Sequence, residues 1–491
     1  MKIFSISQIK AWDKATLQEK NISSLELMEQ AANACTKWIL ESFNHEKEIN
    51  IFCGYGNNGG DGLAIARLLT HSGIRPNVFL LEGTPSQDNR ANQQHLHNKI
   101  KINLIREPGD LPIINKSSLI IEALFGTGLN KPVTGISAKL IHHINHSGAT
   151  IVSIDIPGGL QADEATPWEA ITATHTLTLQ SFKYSYFLPE SHHNWGKIHV
   201  MDIGLSEYFE NSTHTNWQLT KENEIYKIIK PRPAFSHKGD FGHAALWCGS
   251  KGMMGAAVMS AKGCLYAGAG KVTCYVTTEG IPILQQCVPA AMTIDAGNEH
   301  IKHFHPAHTH QAIGVGPGIG EPQHVVEWLK DLLKSTSPLV LDADALNTLA
   351  QNPALLNAIP PSTIITPHPG EFARLFHTSR NQYPAALEEA KKRGIYIILK
   401  GRFTLIATPE GNGWFNPTGN PGMARGGMGD ILTGMITALL AQGYHPFDCC
   451  RLAVYWHGLA GDITAELFTQ QCMQPENLLE NLSEAWKRLV L

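Results

Sequence analysis

INIFCGYGNNGGDG, residues 49–62, is the stretch on which the reading of the fold turns. A short apolar run ends at Cys53, and five glycines follow within nine residues, with two asparagines and an aspartate among them. Gly54, Gly56 and Gly59 match G-x-G-x-x-G after an expected strand, the pattern of a dinucleotide-binding turn. Glu82, closing the next expected strand, is spaced to hold a ribose. Asp61 argues the other way, because it puts a carboxylate where a pyrophosphate ought to lie.

Outward from this stretch, short β-branched runs alternate with helix-like segments, and many of the 44 glycines fall at the ends of the runs. That alternation signals parallel sheets joined by crossover helices. Expected strands in the first half are INIFC (49–53), NVFLLE (77–82), LIIEAL (119–124), TIVSIDI (150–156) and THTLTL (174–179). Residues 205–224 turn polar and read as a linker or a boundary strand. A second series follows: AALWCG (244–249), KVTCYV (271–276), AIGVG (312–316), PLVLDA (338–343), TIITP (363–367), IYIILKG (395–401) and TLIAT (404–408). The chain thus reads as two successive α/β domains, 1–215 and 216–491.

Composition narrows the function classes. The 491 residues are 43% hydrophobic and 17% charged, with a net charge of −4 and no long basic run, which sets nucleic acid aside as a partner. No window holds the roughly 18 consecutive apolar residues of a membrane span. MKIFSISQIKAWDK meets polar residues too early for a secretory signal. Nine cysteines without metal-ligand spacing read as reduced thiols. The expectation is a soluble cytoplasmic α/β protein.

Three glycine-containing loops follow expected strands in the first half: GYGNNGGDG (54–62), FGTGLNKPVTG (125–135) and DIPGGL (155–160). In an open parallel sheet such loops gather at the carboxyl ends of the strands, where ligands bind. Asp61, Glu122 and Asp155 bring carboxylates to one cleft. With Asn58 they offer either hard oxygen ligands for a cation or a general acid–base set.

GYGNNGGDGLAIARLL, IIEALFGTGL, VSIDIPGGL and FKYSYFLP…GKIHVMDIGL together resemble the YjeF N-terminal domain, over roughly residues 5–205. That domain is a Rossmann-like three-layer epimerase interconverting the R and S forms of hydrated NAD(P)H. The resemblance implies that Asn57, Asn58, Gly59, Gly60 and Asp61 contact the hydrated dinucleotide. Gly126, Thr127, Gly128, Leu129, Asn130, Lys131 and Pro132 would line its phosphates, and Asp155 would engage the hydrated nicotinamide as a catalytic residue. It further implies a potassium ion on Asn58, Glu122 and Gly158, where the family usually has aspartate at the second position and serine at the third.

In the second half, GNPGMARGGMGDILTGMITALLA (419–441) places Gly426, Gly427 and Gly429 before Asp430 at the start of an apolar helix. A helix N-terminus presents free N–H groups and partial positive charge, suited to a migrating phosphoryl group with Asp430 as base. A plain helix cap would need no such run of glycines. AGAGKV (267–272) is not a P-loop, since Leu265 and Val272 stand where glycine and a hydroxyl are required. GVGPGIG (314–320) follows a strand, LDADALN (341–347) leaves two acids suited to a magnesium–water network, and TPHPGEF (366–372) presents His368 and Glu371. LKGRFT (399–404) joins two strands as a candidate phosphate grip.

With HKGDFGHAALWCGSKGMMGAA (237–257), these motifs resemble the ribokinase-like ADP- or ATP-dependent NAD(P)H-hydrate dehydratases, over roughly residues 225–490. The resemblance implies a ribokinase-like α/β domain with substrate contacts from Ala256, Gly318, His368 and Asp430. The nucleotide would lie on Lys400, Gly401, Arg402, Phe403, Thr404 and Gly429, with Asp430 activating the hydrate's ring hydroxyl. The family usually has threonine at the position of Arg425 and glutamate at that of Ala290.

The expected activity is therefore two-step repair of the hydrates NADHX and NADPHX. Epimerisation comes first, then dehydration driven by ADP in preference to ATP, with Mg²⁺ and K⁺, in a homo-oligomer. Two alternatives stand beside it: a ribokinase-like small-molecule kinase, and a non-catalytic dinucleotide-binding N-terminal domain. A dehydrogenase ranks last, since no motif supplies its second substrate.

Overall fold

The structure, a computed structural model, describes residues 1–43, 48–96, 99–305, 310–320, 323–378 and 380–490. The chain forms two compact units, Met1–Thr215 and Asn216–Leu491.

The first unit is built on a parallel sheet: β1 (Ile49–Cys53), β2 (Asn77–Leu81), β3 (Ile102–Ile105), β4 (Leu119–Ala123), β5 (Thr150–Ile154), β6 (His175–Leu179) and β7 (Lys197–Met201). The spatial order is β3-β2-β1-β4-β5-β6-β7, so the chain direction reverses between β1 and β4 and opens a crevice beyond their carboxyl ends. β1 and β4 are buried along their whole length, as expected of strands covered on both faces. Helices Ser24–Ser42 and Asn57–His71 pack on one face, around Ile51, Leu63, Ile65 and Val78.

The second unit contains β8 (Trp217–Leu219), β9 (His243–Trp247), β10 (Lys271–Val276), β11 (Met292–Asp295), β12 (Ala312–Val315), β13 (Leu339–Leu341), β14 (Ile364–Ile365), β15 (Tyr396–Leu399), β16 (Leu405–Ala407) and β17 (Gly413–Phe415). From one edge the order is β11-β10-β9-β12-β13-β14-β15-β16-β17-β8, parallel except where β16 pairs with β15 and β17. The reversal lies between β9 and β12. Helix Met428–Ala441 crosses helix Met254–Tyr266 so closely that a Cβ on Gly434 would lie 2.0 Å from the Ser260 carbonyl oxygen. Glycine there lets one helix fix the other's position, and with it the start of the helix that carries Asp430.

Sequence reading and structure differ in three places. The glycine-rich stretch is mostly helix, since Asn57–His71 starts within it and only residues 54–56 form the turn. Strands β3, β7, β11 and β17 lie outside the expected set. The first three are sheet edges with incomplete burial, so their apolar pattern is weak, and β17 is only three residues long. Residues 205–224 contain the expected boundary strand, β8, but also two short helices the sequence did not suggest, Glu207–Ser212 and Glu222–Tyr226, on either side of it. No helix among the described residues is long and apolar enough to cross a membrane.

Candidate functional sites

In the second unit, β13 ends at Leu341 and delivers Asp342, which is buried. One carboxylate oxygen lies 2.9 Å from Lys400 Nζ, and the other accepts from Thr433 Oγ1 at 2.7 Å. Both oxygens are engaged, so Asp342 anchors Lys400. Glu371, also buried, stands 4.0 Å from Lys400. Burial opposes the lysine's charge, but Asp342 and Glu371 outweigh it and raise the pKa.

Asp430 lies in the first turn of helix Met428–Ala441, behind Gly427 at φ +95°, a conformation that favours glycine. No side chain caps this helix, so its first N–H groups remain available to an anion. The Asp430 carboxyl is pushed up to about 7 by burial and by repulsion from Asp342, with Lys400 pulling the other way. It is thus poised to take and release a proton near neutrality.

A cavity of about 600 Å³ opens beside this helix, with Lys400, Gly401, Arg402, Thr404 and Gly429 among its lining residues. His368 reaches its wall while serving as a helix cap: its Nδ1 accepts from the Gly370 N–H, and its backbone N–H donates to the Glu371 carboxylate. Phe403 is buried beneath Arg402, whose guanidinium sits 4.6 Å from the ring. Ala256 and Gly318 lie elsewhere, at the β9/β12 reversal. There a Cβ on Gly318 would come 3.0 Å from Ala256 Cβ, and Ser250 Oγ holds the Gly318 carbonyl at 2.8 Å. They do not line the cavity, but Gly320 N–H donates to Asp344, an acid whose charge Asp430 feels.

Sequence reading missed the far wall of this cavity, Asn416, Thr418, Asn420 and His457. His457 is buried, its pKa pushed down to about 4 by that burial, and its Nε2 has no partner. A lone helical histidine gave no signal. Arg425 lines the cavity with its guanidinium tied to the Gln471 carbonyl, and Ala290 is exposed on a turn.

In the first unit, the three glycine loops converge. A Cβ on Gly126 would lie 3.3 Å from Asn58 Cβ and 3.4 Å from Asp155 Oδ2. Asp155 sits at φ +64°, a strained conformation for a non-glycine residue, fixed by a 2.8 Å hydrogen bond from Tyr186 to its carbonyl. Its carboxylate pairs at 3.0 Å with Lys183, which is buried and also donates to the carbonyls of Leu179 and Ser181. Nothing in the local sequence FKYSYF singles out Lys183 for this role. Asp61 is buried, and burial, followed by repulsion from Asp155 and Asp13, holds its carboxyl well above the usual range. Asp13, not singled out in the sequence, is pushed up to about 6 by burial and by Asp155.

Asn57 starts the helix, and Gly59 and Gly60 are buried against their own chain. A Cβ on Gly59 would collide with the Gly54 carbonyl, and one on Gly60 with Met28. Both positions therefore require glycine for close packing. Gly126, Thr127, Gly128, Leu129, Asn130, Lys131 and Pro132 form a partly to fully exposed turn beside them.

The expected potassium ligands behave unequally. Asn58 is buried with both amide atoms unpartnered, as a ligand residue would be. Glu122, however, accepts from Leu124 N–H at 2.8 Å, Ser153 Oγ at 2.6 Å and Gly158 N–H at 3.0 Å. The Gly158 carbonyl accepts from Ile171 N–H, and Gly158 has no side-chain oxygen. Burial pushes Glu122 up to about 7 against those hydrogen bonds. As a set, these residues do not fit a potassium ion.

Family models match both units: "NAD(P)H-hydrate dehydratase" over residues 244–484 and "YjeF-related protein N-terminus" over residues 24–185. The chain is 33% identical over its full length to the bifunctional NAD(P)H-hydrate repair enzyme Nnr of Moorella thermoacetica, covering 97% of that protein. To the Nnr of Coxiella burnetii it is 33% identical, over 94% of this chain and 95% of that one. A ribokinase-like superfamily protein from Enterococcus faecalis superposes with a TM-score of 0.50 at 29% identity, covering 56% of this chain and 98% of that protein.

Proposed function

The chain belongs to the bifunctional NAD(P)H-hydrate repair enzymes, and we propose that residues 216–491 dehydrate the S hydrate through Asp430 while residues 1–215 interconvert the epimers through Asp155. The observation that carries the first half is Asp430 at an uncapped helix N-terminus beside the Lys400–Asp342 pair, on the edge of a cavity of about 600 Å³.

Asp430 takes the proton of the hydrate's ring hydroxyl as that oxygen attacks the terminal phosphorus of the nucleotide. The new O–P bond forms as the bond to the departing nucleotide breaks, ADP leaving as AMP. Phosphate then departs with the C–O electron pair, the neighbouring ring carbon loses a proton, and the nicotinamide double bond returns. Lys400 and the free N–H groups of helix Met428–Ala441 stabilise the phosphoryl charge where it develops. The loop of Lys400, Gly401, Arg402, Phe403 and Thr404, with Gly429, holds the nucleotide phosphates, and His368 with Ala256 and Gly318 contacts the hydrate. ADP is the favoured donor, with ATP second, and Mg²⁺ would accompany its phosphates, with Asp342 and Asp344 suited to hold its waters.

In the first unit Asp61, whose carboxyl is held above the usual range by burial and neighbouring acids, supports departure and return of the hydrate's hydroxyl as water, with the ring nitrogen lone pair stabilising the cation between. Asp155, oriented by Lys183 and Tyr186, faces that centre. Asn57, Asn58 and the turn from Gly126 to Pro132 bind the dinucleotide.

The test is to give the full chain a mixed-epimer NADH hydrate with Mg²⁺ and ADP, and to follow recovery of reduced-nicotinamide absorbance within the lifetime of the S/R mixture. Recovery of the whole pool is expected. Recovery stopping at the S fraction would overturn the epimerase assignment, and a stable phosphorylated product would establish a kinase instead.

A further inference from the structure

Helix Gly135–Asn145 ends with two histidines one turn apart, His142 within it and His146 at its C-cap, and the segment after Asp155 brings Glu169 against both. Among the described residues this is a cluster whose metal-ligating atoms all lie within 4.8 Å of one another. His142 Nδ1 is 3.4 Å from the Glu169 carboxylate, and the two imidazole centroids are 4.0 Å apart. A cation held about 2.1 Å from nitrogen and oxygen ligands requires ligand separations of roughly 3.4 Å, so one pair is already in place. Rotation of exposed rings closes the remainder.

Two further contacts give the cluster the outer support of a metal site. His146 Nδ1 donates to the His142 carbonyl at 2.8 Å, which fixes the tautomer and leaves Nε2 as the free lone pair. Asn145 donates to Glu169 Oε1 at 3.2 Å and to the Ala170 carbonyl at 3.0 Å, and accepts from Thr172 N–H at 2.9 Å. The carboxylate is thus oriented toward the histidines by a side chain that is itself clamped.

We propose that His142, His146 and Glu169 bind a borderline transition-metal cation, with zinc as the type and nickel or copper as alternatives. Two imidazoles and one carboxylate suit such ions and not magnesium or potassium, which take oxygen donors. Three protein ligands leave at least one position for water. The bound ion joins two segments that serve the epimerase site from behind. Helix Gly135–Asn145 continues from the turn carrying Gly126 and Pro132. Glu169 lies two residues before Ile171, whose N–H binds the Gly158 carbonyl, and next to Trp168, whose indole N–H binds the Gly159 carbonyl at 2.8 Å. The cation therefore ties together the far ends of two ligand-facing loops. The inference is independent of which reaction the unit performs.

The full chain, freed of metals with a chelator, is titrated with ZnCl₂ by calorimetry beside a His142→Ala/His146→Ala double variant. Weak sites on other histidines and cysteines are common to both, so the difference isolates this one. The expected result is a micromolar site present only in the unsubstituted chain, accompanied by a zinc-dependent rise in Tm that the double variant lacks. Asn145→Ala should weaken zinc about tenfold while leaving all three ligands in place. MgCl₂ should produce neither signal. Superimposable zinc isotherms for the two chains, or an equal Tm rise in both, would overturn the proposal.

Discussion

The two units both gather their acids beyond the carboxyl ends of parallel strands, after β1 and β5 in one and after β13 in the other, yet they treat charge in opposite ways. The second unit pairs its acids with a cation: Lys400 lies between Asp342 and Glu371, beside an open cavity and an uncapped helix. The first gathers like charges, with Asp155 raising both Asp13 and Asp61, and Lys183 pairing with Asp155. A site that must receive phosphates needs fixed positive potential. A site that takes away and returns a hydroxyl is served instead by buried acids whose hold on a proton is strengthened. The contrast is chemical and the shared placement conceals it.

The largest effect should come from Asp430→Asn. It removes the base, so nucleotide-driven dehydration should fall about 10³-fold with the nucleotide KM little changed, as read from absorbance recovery. Stability should move the other way. Because the folded pKa of about 7 exceeds the unfolded value, the native state binds the extra proton between about pH 4 and 7, and stability falls as pH rises through that window. The amide variant carries no such proton and escapes that loss. Urea unfolding at pH 8 should therefore show it more stable by roughly 1 kcal/mol, with the difference shrinking toward pH 4. Equal activity in the variant would erase the contrast between the sites.

Lys400→Met sharpens the same comparison. It leaves buried Asp342 with Thr433 alone, and breaking such a pair costs about 3 kcal/mol, measurable by urea denaturation. Thr433→Val removes only the hydroxyl and should cost roughly 1 kcal/mol.

How much of this was legible in the sequence differs between the units. The alternation of short apolar runs with helical stretches carried the α/β class, and fully buried strands such as β1 and β4 coincided closely with their runs. Edge strands did not, because a half-exposed strand has no continuous apolar run to reveal it. Glycine-flanked motifs were visible where backbone approach dictates the residue, as at Gly427 before Asp430. Partnerships between distant residues were not. Nothing local joins Asp342 to Lys400, 58 positions apart, or Asp155 to Lys183. Glu122 and Gly158 each departed from the expected pattern separately, and only their contact shows that they belong together.

That contact yields the next effect in size. A Cβ at position 158 would lie 2.5 Å from Glu122 Oε1, so Gly158→Ser should destabilise the first unit by about 1–3 kcal/mol. Glu122→Asp withdraws the carboxylate by one methylene and should restore much of that loss in the double variant. A coupling of at least about 1 kcal/mol in the double-mutant cycle is expected, and additive effects would show that the two positions changed independently.

The smallest effect, near zero, concerns the ion. Glu122 already receives three hydrogen bonds from the chain, one of them from Gly158. The carboxylate is thereby satisfied from within, which a cation would otherwise do in part from outside. Exchanging KCl for NaCl at constant ionic strength should therefore change the epimerisation rate of the unsubstituted chain by less than about twofold, since nonspecific screening is matched. The Glu122→Asp/Gly158→Ser chain, with a shorter acid, an added hydroxyl against it and the unpartnered amide of Asn58 in the same site, should gain a preference for potassium in both rate and Tm. A potassium-specific Tm rise in the unsubstituted chain would mean that Asn58 holds the ion without the other two. The first site would then depend on a fixed cation after all, as the second depends on Lys400, and the opposition between them would be one of degree.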